Sequence, residues 1–214
     1  MPVADGTDNG FVWLRPHATI LRTTMSSELG TMIEGLYSED ASKRESDAAR
    51  IYLQGVTAAC AACMKWWEDE ELNGLIGGES RKMTVGVAVG RETFTRIRAA
   101  NEMPRLAEVP SDQDAEEFEL HFTGGMSLDI LTSRAPGGEG AIARYLAKFG
   151  EGIQQVEFRC KDVDRATEIL RERLGVKAIY PATRPGADGT RINFFLVTGE
   201  DGGKVLIELY EPHG

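Results

Sequence analysis

Four acidic side chains on strand-like runs, Glu119, Asp129, Glu157 and Glu208, are the residues of this chain best suited to acid–base chemistry. Residues two apart on a strand share a face. Glu119 therefore brings His121 with it, Asp129 brings Ser127 and Leu131, Gln155 brings Glu157 and Arg159, and Glu208 brings Leu206 and Tyr210; Asn193 is placed inward with Arg191. If these faces line one concavity, the carboxylates cannot all ionise cheaply, because like charges in a poorly solvated site raise one another's pKa. Three outcomes follow. A hard divalent cation binds through oxygen ligands, which suit Mg, Mn or Ca better than Zn. Alternatively, one or two carboxylates stay protonated as general acids beside a carboxylate base. In the third, Arg159 neutralises part of the charge and the concavity only binds a ligand. Simpler roles compete: Glu157 and Arg159 pair across strands, Thr84 and His121 serve as ordinary strand residues, and His17 and His213 lie at the surface. Glu117 alternates with Glu119 and is assigned to the solvent end of its strand.

The concavity itself is inferred from a duplication. Residues 83–132 read as strand (83–89), helix (92–101) and three strands (105–109, 117–123, 126–132). After a linking helix at 140–149 the same order returns over 153–211: a strand at 153–160, a helix at 163–174 with Asp162 near its cap, then strands at 176–182, 191–197 and 204–210. Two copies of one βαβββ unit suggest a cavity shared between them. Ahead of them, residues 27–37 and 41–75 have a helical period, with Ser38 and Asp40 as caps and Gly74, Gly77 and Gly78 as stops; residues 1–25 read as a loose arm or an edge strand. The class is α+β, with an arm and helical hairpin over 1–82 and the two-unit domain over 83–214. The hairpin needs a partner for its apolar stripe. Packing outside the β domain or on a second subunit, giving a homodimer, is expected; a lid over the site, with Trp66 and Trp67 as an aromatic wall, is the sharper alternative.

The formal net charge of −10 argues against a surface built to neutralise nucleic-acid phosphates or anionic lipid. No apolar run is long enough to span a bilayer and no secretory signal is evident, so a cytoplasmic location without membrane contact is expected. Three cysteines cannot build a disulfide framework. Cys60 and Cys63 fall on the helical stripe Tyr52, Val56, Cys60, Cys63, Trp67 and read as core residues rather than a redox or zinc pair.

The stretches 141–153, 184–194 and 205–209 resemble the vicinal oxygen chelate superfamily, and most closely its methylmalonyl-CoA epimerases, over about residues 83–212. The resemblance implies a cup built from two βαβββ units with a divalent metal held by residues on the first and last strands of each. Those places fall on Thr84, Asp129, Gln155 and Glu208; both expected histidines are replaced, leaving Asp129, Gln155 and Glu208 as the implied ligands. The implied catalytic pair is Glu119 and Glu208, with His121 or an oxygen-ligated metal stabilising an enolate. Thr84, at a place carried over from the family, and Glu157, Arg159, Asn193 and Tyr210, placed by strand alternation, are expected to bind substrate. The function so implied is an epimerase-like isomerase or lyase that removes a proton next to a carbonyl of a small acid or a thioester such as a CoA ester, without an organic cofactor. The alternative is a metal-free binder of the drug-sequestering type. An extradiol dioxygenase fits poorly, since only His121 is available as a histidine ligand.

Overall fold

The computed structural model describes residues 28–78, 81–199 and 202–212. The expected N-terminal arm with His17, and His213 at the other end, lie outside these residues.

A helical region comes first: α1 (28–35), α2 (Ala41–Ala62), α3 (Met64–Glu68) and α4 (Glu70–Leu75). Asp40 caps α2 by accepting from the Ser42 backbone N–H at 2.9 Å. The long helix expected over 41–75 is broken into three: Asp69 caps α4 through the Leu72 N–H at 3.0 Å, and α2 gives way to α3 at Cys63. The first unit follows as β1 (Met83–Ala88), α5 (Arg91–Ala100), β2 (Glu116–His121) and β3 (Ser127–Thr132). Helix α6 (Ala141–Phe149) leads to the second: β4 (Gly152–Arg159), α7 (Val163–Glu172), β5 (Arg184–Pro185), β6 (Arg191–Thr198) and β7 (Lys204–Glu211).

The strands form one sheet in the order β2-β3-β1-β4-β7-β6-β5. Each unit pairs its first and last strands in parallel, and the antiparallel β1–β4 pair joins the units at the centre. Two expected strands are absent. The segment 105–109 makes a single backbone bond to β2, Ala107 N–H to Glu117 O at 3.0 Å, and turns instead to the second unit. There the Glu108 N–H donates to Asp188 Oδ1 at 2.9 Å, the Asp188 N–H donates to Glu108 O at 3.1 Å, and Arg105 grips the Asp188 carboxylate with both terminal nitrogens. The segment 176–182 touches β6 through the Ala178–Phe195 bridge and through Asn193, whose amide exchanges hydrogen bonds with the Tyr180 backbone.

Helices α5, α2 and α7 cover the outer face of the sheet. The buried positions of α2, Asp47, Ala48, Ile51, Gly55 and Ala59, are mostly small and recur at helical spacing. They let the helix lie directly on β1, where a Cβ at Gly55 would stand 2.7 Å from Val85 Cγ1. Trp66 of α3 is buried edge-on against Phe158 and Phe195. The helical region thus shares the core of the sheet and lies on the face away from Thr84 and Gly86; it is not a lid, and Trp66 is no wall of the cup. The inner face of the sheet curls round a cavity of about 2230 Å³.

Candidate active site

Strand register sets the cavity floor row by row. Glu119 stands opposite Asp129, Asp129 beside Gly86, and Gly86 beside Gln155. The next row runs His121, Ser127, Thr84, Glu157, Glu208, Phe194 across six strands. Glu117 lies one row to the other side, opposite Leu131. At the centre the Gln155 Nε2 donates to Glu208 Oε2 at 2.7 Å and to Glu157 Oε1 at 3.1 Å. This geometry needs Gly86, because a Cβ there would sit 2.5 Å from Gln155 Cγ. At the outer end of the floor, Thr84 Oγ1 lies 3.5 Å from Glu119 Oε1, His121 Nε2 lies 3.6 Å from Glu119 Oε2, and His121 Nδ1 lies 3.1 Å from Ser127 Oγ.

The electrostatics follow from crowding acids on a poorly solvated floor. Burial, reinforced by Glu117, Glu157, Glu208 and Glu119, pushes the Asp129 carboxyl well above the ordinary carboxylate range. Burial lifts Glu157 to about 8, with Gln155 opposing and Glu117 and Glu119 adding to the rise. Glu208 is raised by burial and then by Glu157 and Glu117, again against Gln155. Glu117 rises to about 7 through burial and Asp188, with Arg134 acting the other way.

Of the residues singled out from sequence, Thr84, Glu119, His121, Asp129, Gln155, Glu157, Glu208 and Tyr210 line this one cavity. Two do not. Arg159 stands at the exposed end of β4, opposite Tyr210 and outside the cavity lining. Asn193 is fully buried on the opposite face of β6, where its carbonyl accepts from the Phe194 N–H at 2.9 Å; the cup-facing residues of that strand are Ile192, Phe194 and Leu196. The sequence reading also passed over two residues. Glu117 shares the face of Glu119 and adds its charge to Asp129, Glu157 and Glu208. The same alternation rule that selected Glu119 selects it. Gln154 is left unpaired by a bulge, where Gly86 pairs with Gln155 and Val87 with Ile153, and the bulge turns it into the cavity lining.

Among the described residues no three His, Cys, Asp or Glu side chains are placed to hold a metal ion. The Gln155 amide also turns its nitrogen, not its oxygen, toward two of the acids. The donor set Asp129, Gln155 and Glu208 therefore does not fit a metal as it is arranged here.

Solved structures decide the lineage. The Mycobacterium tuberculosis methylmalonyl-CoA epimerase is 31% identical over 61% of this chain and 87% of its own, with a TM-score of 0.51. The chain belongs to the vicinal oxygen chelate superfamily. A variant of the Streptomyces coelicolor methylmalonyl-CoA epimerase in complex with 2-nitronate-propionyl-CoA is 27% identical over 61% of this chain and 93% of that one, with a TM-score of 0.50. A hypothetical protein from Bacillus halodurans C-125 shares the fold, at 24% identity, 64% and 97% coverage and a TM-score of 0.52. No protein-family model and no curated protein matches the chain. No described helix is long and apolar enough to cross a membrane. Among vicinal oxygen chelate proteins, the feature to explain in this one is a floor of carboxylates held at the seam of the two units.

Proposed function

We propose that the protein is an epimerase-like isomerase that moves a proton at the carbon next to a carbonyl, in a small acid or thioester. One observation carries this reading: carboxyls from both units, Glu117 on β2 and Glu208 on β7, face one cavity and repel each other through a poorly solvated floor. Carbon-acid chemistry needs such a pair, one ionised to take the proton and the other protonated to return one from the opposite face. Glu117, poised at about 7, changes state near neutral pH, whereas burial and the neighbouring acids favour the protonated form of Glu208. The developing enolate oxygen needs a donor. Glu157, protonated below about 8, supplies an O–H in the middle of the floor, as a neutral carboxylic acid does in other oxyanion sites. His121 orients Glu119 at the outer end, in contact distance of both Glu119 and Ser127. Glu119 thus becomes a supporting residue and Glu117 takes the catalytic role. Arg144, Lys148 and Lys204 at the exposed edge of the cavity suit a polyanionic handle such as a CoA tail, the kind of ligand named with the Streptomyces epimerase.

The test is exchange of the α-hydrogen of chiral 2-methyl acids and thioesters in deuterated water, followed by NMR and optical rotation. Glu208→Gln and Glu117→Gln are each expected to slow exchange by at least about a hundredfold, the scale of one general acid–base contribution. Wild-type rates in both variants would end this reading.

A further inference from the structure

The two units give the cup walls of opposite character. Strands β2 and β6 hold corresponding places, each antiparallel to the last strand of its own unit. The side chains that β2 turns into the cavity are Glu117, Glu119 and His121, whereas β6 turns in Ile192, Phe194 and Leu196, and β7 adds Leu206 beside Leu196. Phe194, Leu196 and Leu206 are half-buried and take no part in the hydrophobic core, which their neighbours on the outer face, Phe195, Val197 and Ile207, help to fill. The wall continues into Ile179 and Tyr180: the Ile179 N–H donates to Phe194 O at 2.7 Å, and the Tyr180 ring stands edge-on to Phe194 at 6.0 Å. Among the described residues five large apolar side chains are exposed, and two of them, Phe149 and Ile179, line this cavity. Register ties the wall to the reaction centre, because Phe194 stands directly opposite Glu208.

Apolar side chains that stand in a cavity and not in the core are removed from water only when a ligand covers them. Phe194 to Leu196 is a step of two residues, about 6.6 Å along the strand, a length that a chain of about five carbons spans. A methyl group would leave most of that wall in water. We propose that the β6–β7 wall is the subsite for the substituent on the reacting carbon, and that this substituent is large and apolar, an alkyl chain of about five carbons or an aromatic ring. It starts beside Glu208, where the proton is exchanged, and runs past Phe194 toward Leu196 and Leu206. Arg144, Lys148 and Lys204 of the same cavity are left to the anionic handle. The inference rests on the proton-transfer reading of the cup, and it names the substrate class as carbonyl compounds with a bulky apolar branch at the adjacent carbon.

The experiment is calorimetric titration of the full chain with thioesters of one small thiol, N-acetylcysteamine, carrying 2-methylbutanoyl, 2-methylheptanoyl or 2-phenylpropanoyl groups, with α-hydrogen exchange followed on the same compounds. Full burial of a methylene is worth about fourfold in affinity. With one side of the chain on the wall, the three further methylenes of the heptanoyl ester are expected to tighten binding about tenfold over the butanoyl ester, and the phenyl ester is expected to bind comparably to the heptanoyl one. The double substitution Leu196→Ala, Leu206→Ala removes wall and not core, and is expected to cut that advantage to about threefold or less. Equal binding of the three esters, tightest binding of the butanoyl ester, no binding of any ester, or an advantage that survives the double substitution overturns the proposal. A chain-length preference lost in the double variant, without exchange in any ester, would leave this inference standing and end the proton-transfer reading; exchange that is fastest in the butanoyl ester, with no preference in binding, would do the reverse.

Discussion

Replacing Glu157 by Gln removes one acid from the floor while keeping its volume and an oxygen that accepts from the Gln155 amide. In the native protein, burial first and the repulsion of Glu117 and Glu119 second lift Glu157 from 4.5 to about 8, against the Gln155 hydrogen bond. A carboxyl raised in this way keeps a proton in the native state that the unfolded chain has already released. Its contribution to stability is therefore fully present below 4.5, declines as pH rises, and is lost by about 8. The rise from 4.5 to about 8 sets the scale. Each pH unit of that rise corresponds to about 1.4 kcal/mol, and with water in the open cavity screening more than half of the total, about 2 kcal/mol remains. Urea unfolding of wild type and Glu157→Gln across the range from about pH 5 to about pH 8 measures it. The variant is expected to match wild type at the acid end and to be more stable by about 2 kcal/mol at the alkaline end. Parallel stability curves would mean that Glu157 titrates as a solvated carboxyl, and the shared low-dielectric floor would have to be given up.

Other perturbations reach different parts of the structure. Gly86→Ala drives a Cβ to within 2.5 Å of Gln155 Cγ and 3.1 Å of Leu131 Cδ1. It is expected to destabilise by about 1–3 kcal/mol, the usual range for overpacking, and to slow α-hydrogen exchange by displacing the Gln155 amide; an unchanged denaturation midpoint would refute this. Trp66→Ala empties a site between Phe158 and Phe195 on the outer face. A loss of about 3–5 kcal/mol is expected, with the midpoint measured by tryptophan fluorescence, and a small loss would show that α3 does not belong to the core. Asp188→Ala removes the carboxylate that holds Arg105 and the Glu108 N–H. The bond is exposed, so global stability should fall by less than about 1 kcal/mol, while amide hydrogen exchange speeds up in 104–114 and 181–190; unaltered exchange there would mean the clasp does not hold the two loops together.

Much of this architecture was legible in the sequence because it is written in periods. The return of strand, helix and strands after residue 152 gave the two units, and the Glu117-Phe118-Glu119-Leu120-His121 run has a clean polar and apolar alternation that fixes its faces. The same run also carries Glu117, whose place at the end of the strand suggests solvent; burial is a tertiary property that alternation does not encode. The segment 105–109 misled for a related reason. Its residues suit a strand, but its backbone groups find partners in Asp188, about which local propensity says nothing.

Strand β6 marks the limit more sharply. Its inner residues are Ile192, Phe194 and Leu196 and its outer ones Asn193, Phe195 and Val197, so both faces are apolar apart from one amide. A strand covered on both sides has no polar stripe from which to read direction. The polar residue was therefore taken as the one facing the site, when its polarity answers a backbone instead: Asn193 satisfies the Tyr180 N–H and C=O of a segment that fails to form a regular ladder. The consequence for chemistry is direct. With Arg159 outside the cup lining, the cation expected to offset the acids is missing, and burial with mutual repulsion instead raises Asp129, Glu157 and Glu208 above the ordinary carboxylate range.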